Sequence, residues 1–299
     1  MGSEPLELAI EPGTPPRTIA RDIERAGVRV DARLLFAWFR LSGKVREIRA
    51  GNYEIPPGTT PIALLDKLVR GEESLRSLTL VEGWTFRQMR AALAREELRH
   101  DTASLSDAEI MQQLGRPGVP AEGRFFPDTY AYAKGSSDLA VLRRALHAMD
   151  RHLEAAWAQR SADTPLKSAD EALVLASIVE KETGQAADRP QIAGVFANRL
   201  RTGMLLQTDP TVIYGLGEKF DGNLRKRDLQ TDTPWNTYTR TGLPPTPIAM
   251  PGKAALMAAV QPQATRALYF VARGDGSSHF SATLEEHNRA VQRYQLQKK

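Results

Sequence analysis

No cysteine occurs in the 299 residues, which removes thiolate nucleophiles, Cys-ligated zinc, iron–sulfur clusters and disulfide frameworks together. It leaves the compartment open, because such a chain suits a reducing cytosol and an oxidising exterior alike. The five histidines are scattered, with no His-Glu-x-x-His or comparable ligand spacing, so no metal and no other cofactor is expected. No apolar run reaches the roughly 18 residues that span a bilayer. Charge of one sign is also scarce as a block: 40 Lys+Arg against 36 Asp+Glu, net +4, are interspersed, and no basic stripe with interleaved aromatics points to nucleic acid. The absence of a Gly-x-Ser-x-Gly elbow leaves a serine-hydrolase triad without support.

What remains is ordinary globular composition, 41% hydrophobic and 25% charged with 22 Gly and 19 Pro, at a length that suggests two domains. Near the N-terminus a theme repeats: a short apolar piece, then Pro-Gly-Thr, then an amphipathic stretch. It occurs at Pro12-Gly13-Thr14 and at Pro57-Gly58-Thr59, where Thr59 or Thr60 is placed to cap a helix over Ile62, Leu64, Leu65 and Leu68. Between them Leu34, Leu35, Trp38 and Phe39 have helical spacing and read as a core face. A small domain of two helices and two or three strands is expected over residues 4–73, with residues 74–299 forming a larger one. Met1-Gly2-Ser3 reads as an artificial start, so a natural anchor would lie upstream.

The larger part begins with a helix expected to run to about Glu97, a capping pattern around Ser104 to Glu109, and an aromatic turn at Phe125-Phe126-Pro127-Asp128-Thr129-Tyr130. Then comes Ala172-Leu173-Val174-Leu175-Ala176-Ser177-Ile178-Val179, apolar all round yet too short for a membrane, the pattern of a helix buried in the protein. It runs straight into Glu180-Lys181-Glu182. A carboxylate that faces inward at the end of such a helix loses hydration, so its pKa rises and it can act as a general acid near neutral pH. Counting back along the helix, Glu182 shares its stripe with Val179, Ile178 and Leu175, and Glu180 with Ser177, Ala176 and Leu173. This favours Glu182 modestly, and leaves open that both glutamates simply leave the core.

Two polar segments follow. Gln207-Thr208-Asp209-Pro210, continuing to Tyr214, is dense in amide, hydroxyl and carboxylate groups suited to recognising sugar hydroxyls; local capping by Thr208 or Asp209 explains at least part of it. Residues 234–245, with Trp235, Asn236, Tyr238 and several prolines, form a loop too long for a plain connector; a Pro-rigidified surface segment is the other reading.

In order and spacing, Leu175-Ala176-Ser177-Ile178-Val179-Glu180-Lys181-Glu182-Thr183, Val195-Phe196-Ala197-Asn198-Arg199-Leu200, Leu206-Gln207-Thr208-Asp209-Pro210, Asn236-Thr237-Tyr238 and Thr241-Gly242-Leu243-Pro244-Pro245 resemble the MltG (YceG-like) endolytic murein transglycosylases. The resemblance implies an α+β fold: a small LysM-like N-terminal domain, then a larger mixed catalytic domain with a lytic-transglycosylase-like buried glutamate helix. It implies an enzyme that cuts peptidoglycan glycan strands internally between N-acetylmuramic acid and N-acetylglucosamine, leaving 1,6-anhydro ends. It further implies a single-pass bacterial inner-membrane protein with its catalytic part in the periplasm, of which this chain is the soluble portion, with wall synthases as candidate partners. A Glu followed by Ser or Thr at a helix end carries the acid in lytic transglycosylases; Glu182-Thr183 fits that frame and Glu180-Lys181 does not. Gln207, Thr208, Asp209, Tyr214, Asn236 and Tyr238 are then assigned to substrate, with Glu180 or Asp209 as candidate second carboxylate. If either faced Glu182 across a cleft, plain hydrolysis would return as a reading. A non-catalytic peptidoglycan-binding scaffold is the remaining alternative.

Overall fold

The computed structural model describes residues 6–296; Met1-Gly2-Ser3 and the outer limits expected for the two domains lie outside them. Helices and short paired strands make an α+β fold. Two compact units are present, one built from residues up to 78 with 96–100 and 131–138, the other from 79–95, 101–130 and 139 onward.

In the first unit, β1 (Leu6–Ile10) is followed by α1 (Pro16–Arg25) and α2 (Ala32–Leu41), then by β2 (Gly51–Ile55), which returns antiparallel to β1 with Leu6 opposite Ile55 and Ile10 opposite Gly51. The Asp31 carboxylate caps α2 by accepting the Arg33 and Leu34 N–H groups at 2.8 and 3.1 Å. Thr60 caps α3 (Pro61–Arg70), and Gly71, at φ 68°, ends it in the left-handed conformation that favours glycine. The core gathers Leu8, Ile10, Ile23, Leu35, Phe39, Tyr53 and Leu68. Here one expectation needs correcting: Leu35 and Phe39 are buried, but Leu34 is 73% and Trp38 37% exposed. One helical position is a rotation of about 100°, so only the Leu35–Phe39 edge of α2 can face the core.

The chain continues through β3 (Leu75–Thr79), α4 (Phe86–Leu93), α5 (Asp107–Gln113) and β4 (Thr129–Ala133), with β3 and β4 paired. Both short helices start with reciprocal capping boxes, Thr85 with Gln88 and Ser106 with Glu109. Contrary to the expected length, α4 stops at Leu93. The backbone beyond it is taken up elsewhere, with the Glu97 carbonyl accepting from Gly135 N–H and Arg99 N–H donating to the Ser136 carbonyl. The aromatic turn is buried as expected: Phe125 stacks on Phe86 at 4.8 Å, and the Tyr130 hydroxyl donates to the Phe126 carbonyl at 2.8 Å.

The second unit is mainly helical: α6 (Asp138–Ala158), α7 (Ala169–Glu182), α8 (Arg189–Arg201), α9 (Asp209–Leu216), α10 (Lys226–Gln230) and α11 (Lys253–Val260), then the antiparallel pair β5 (Tyr269–Ala272) and β6 (Ser278–Ser281), and α12 (Leu284–Val291). As its sequence requires, α7 is central: every residue from Ala172 to Val179 is buried, and α8, α9 and α11 pack against it. Its one polar interior residue, Ser177, is satisfied, donating to the Val174 carbonyl at 2.7 Å and accepting the Ile248 N–H at 3.0 Å. Gly194 lets α8 lie flush on neighbouring backbone; a Cβ there would stand 2.4 Å from the Gln263 carbonyl oxygen. No helix among the described residues is long and apolar enough to cross a membrane.

Candidate active site

The last turn of α7 delivers two carboxylates into different surroundings. The Glu180 side chain is only 6% exposed, and both its oxygens are engaged: Oε1 faces Arg189 Nη2 at 3.3 Å, and Oε2 accepts the Gly252 N–H at 2.9 Å. Burial pushes its pKa up, while the Gly252 hydrogen bond and the Arg189 charge pull it back. Glu182 has no ion-pair partner within 4 Å among the described residues. Its Oε1 accepts a hydrogen bond from the Thr208 hydroxyl, and its pKa is raised to about 7. Lost hydration is the main cause; the nearby Asp209 charge adds to it, and Thr208 and the more distant Arg199 charge oppose it.

Thr208 reaches Glu182 because of the backbone before it. Gln207 has φ 48°, the only positive φ outside glycine among the described residues, a conformation that costs about 1 kcal/mol or more in an L-residue. The turn sends Leu206 into the core and Thr208 to the acid, with the Gln207 side chain exposed. Loop 234–245 holds this geometry: Gln207 N–H donates to the Thr237 carbonyl and Thr208 N–H to Thr237 Oγ1, both at 3.1 Å. Thr208 occupies the N-cap position of α9, but its side chain makes no cap bond; the hydroxyl is turned to the carboxylate instead.

Asp209 begins α9 and accepts the Tyr238 hydroxyl at 2.5 Å. Burial and the neighbouring carboxylates push the Tyr238 pKa up, so the phenol stays protonated, donating its O–H to Asp209 while its oxygen can still accept from a substrate hydroxyl. Asn236 is fully buried. Its Nδ2 donates to the Leu229 and Thr231 carbonyls and its Oδ1 accepts the Tyr238 N–H, which makes it part of the loop's frame. Tyr214, one turn along α9, points elsewhere and donates to Glu122 Oε2 at 3.1 Å.

The structure therefore brings Glu182, Thr208, Asp209 and Tyr238 together around an exposed Gln207, and separates Glu180 and Tyr214 from them. Sequence reasoning passed over Arg199, which is 7% exposed on α8 and donates to the Leu205, Leu206 and Leu268 carbonyls while its charge acts on Glu182. An arginine three residues after Phe196 on an apolar face was the available signal. Sequence reasoning also passed over Glu122.

Chemically, a carboxyl that is half-protonated near neutral pH can give up a proton to a leaving oxygen and take one back, the requirement for general acid/base catalysis. An α+β protein built around such an acid is thus a candidate for glycosyl-bond chemistry. The chain belongs to the YceG-like family, whose sequence pattern matches residues 8–293. It is 35% identical over 265 residues to a Bacillus subtilis endolytic murein transglycosylase, covering 82% of this chain and 73% of that protein. It is 27% identical over 320 residues to a Streptococcus pneumoniae protein of the same name, covering 96% of this chain but 58% of the relative. The crystal structure of a yceG-like protein from Listeria monocytogenes superposes with a TM-score of 0.59 at 29% identity, covering 96% and 99% of the two chains.

Proposed function

We propose that this chain is an endolytic peptidoglycan lytic transglycosylase, cutting the bond between N-acetylmuramic acid and N-acetylglucosamine within glycan strands. The family and the names of its relatives support the activity; the observation that carries the mechanism is the poorly compensated carboxyl of Glu182. Protonated Glu182 donates its proton to the glycosidic oxygen as the bond from that oxygen to the muramic C1 breaks. The resulting carboxylate then accepts the proton of the muramic 6-hydroxyl while that oxygen bonds to C1, closing the 1,6-anhydro ring. No water is consumed, and Glu182 ends protonated again. Thr208 holds the carboxyl in place, and Gln207, Asp209 and Tyr238 offer hydrogen bonds to the sugars.

Strands β1 and β2, paired antiparallel with α1 and α2 between them, support a LysM-like domain over residues 4–73 ahead of a catalytic domain over 74–299. The family resemblance alone carries the further proposal of a periplasmic location, anchored at the inner membrane by a preceding helix, next to the wall synthases. Asp209 keeps one other reading in play, because its charge acts on Glu182 and a second carboxylate beside the acid is what a muramidase would use on water.

Mass spectrometry of peptidoglycan digested by the wild-type chain and by Glu182→Gln separates these readings. Anhydro-muramic ends from the wild type alone are expected. Reducing ends would establish the muramidase instead, and intact strands from a folded wild type would leave a binding scaffold.

A further inference from the structure

Glu122 precedes the aromatic turn and is tied to two elements at once. Its Oε1 accepts the Phe86 N–H at 3.0 Å, at the start of α4, and its Oε2 accepts the Tyr214 hydroxyl at 3.1 Å. Burial raises its pKa to about 7 against the pull of those hydrogen bonds. The reaction at Glu182 makes no use of it.

Glu122 and Tyr214 lie in the wall of a cleft of about 980 Å³, at the upper end of the range of roughly 300–1,000 Å³ for small-molecule sites. Trp235 borders the same space, fixed by its Nε1–H bond to Thr246 Oγ1 at 2.9 Å and by edge contact with Tyr214 at 5.4 Å. A carboxyl, a phenol and rigid aromatic surface suit a pyranose, which offers hydroxyls around its rim and C–H groups on its faces. Of the two cations lining the cleft, Arg87 pairs with Glu218 at 2.7 Å and Lys181 donates to the Gly83 carbonyl at 3.2 Å, while Asp107, Glu122 and Glu218 supply carboxyls to the same wall. A lining no richer in cations than in acids favours an uncharged sugar over a carboxylate-rich peptide.

The position of the cleft links it to the acid. Lys181, Pro210 and Trp235 border it, and each is the chain neighbour of a residue of the Glu182 region: Glu182, Asp209 and Asn236. A strand cut in its interior has to continue past the acid, and this cleft adjoins that path.

We propose that the cleft is a saccharide subsite for the same glycan strand, in which Glu122 and Tyr214 hydrogen-bond an N-acetylhexosamine located beyond the bond that is cut. The inference rests on the transglycosylase reading above. Its test uses Glu182→Gln chain, which binds without cutting, and peptide-free glycan strands sorted by length, with affinity measured by calorimetry. Two further variants are compared in that background: Glu122→Ala, which removes the carboxyl, and Ala108→Trp, which fills the cleft from an exposed position on α5 without touching the hydrogen bonds of Glu122. Each is expected to lower affinity for long strands about tenfold while leaving that for a disaccharide unchanged. Should Ala108→Trp, with an unaltered melting temperature, bind long strands as tightly as Glu182→Gln alone, the subsite is refuted and the transglycosylase reading stands. If Glu182→Gln chain binds no strand of any length, both fall together.

Discussion

Glu180 and Glu182 leave the same helix two residues apart, both shielded from water and both with raised pKa values. What separates them is compensation. Glu180 has Arg189 and a backbone N–H, so it ties α7 to the start of α8 and to Gly252 before α11. Glu182 has one neutral hydroxyl and a carboxylate for a neighbour, so it keeps its proton to about neutral pH. Burial alone therefore does not separate the two glutamates; the absence of a close counter-charge does.

The sharpest way to break this comparison is activity. Glu182→Gln should lower cleavage by about 10²–10⁴-fold with the circular dichroism spectrum unchanged, whereas folded Glu180→Gln should keep most of it, as scored by release of anhydro-muropeptides; the reverse ranking would move the acid to Glu180. Next in size is stability. Removing Glu180 strands a nearly buried Arg189, so Glu180→Ala should cost about 3 kcal/mol in urea unfolding, and a loss within experimental error would deny it the structural role.

A smaller effect has a defined sign. Between pH 4.5 and about 7 the folded carboxyls of Glu182 and Glu122 hold protons that the unfolded chain has released, so their contribution favours folding at low pH and fades as pH rises through this window. At pH 8 Glu182→Gln should be more stable than wild type by about 1–3 kcal/mol, a gain absent at pH 4; the same difference at both pH values would contradict the raised pKa. The finest test concerns the pH–rate profile, whose fall on the alkaline side reports loss of the acid's proton. Asp209→Asn should move that fall to lower pH and Thr208→Val to higher, by about half a unit to one unit.

Much of this arrangement was legible before any coordinates. The helical stripe of Val179, Ile178 and Leu175 pointed towards Glu182, and the uninterrupted apolar run made α7 a buried helix. The stripe count went no further because it weighs apolar neighbours, while the difference lies in Arg189 and Gly252, one of them 72 residues away. Leu34 and Trp38 were misjudged for a related reason: spacing shows which residues share a stripe, but not how far that stripe wraps around the core. Glu122 was invisible because its burial depends on Phe86 and Tyr214, 36 and 92 residues distant. The turn at Gln207 carries no local signal either, since a glutamine at positive φ is an outcome of the contacts with Thr237 on both sides of it.

The burial of Glu182 also determines when the acid comes into being. Glu182 and Asp209 are supplied by separate stretches of chain, and only the loss of water around the end of α7, with the Asp209 charge brought beside it, converts an ordinary glutamate into one that is still protonated near neutrality. An unfinished, misfolded or clipped chain carries the same side chain as a plain, fully ionised carboxylate. For an enzyme that cuts the wall containing the cell, this works as an interlock: the blade is unsheathed only in a molecule that has passed the inspection of its own folding.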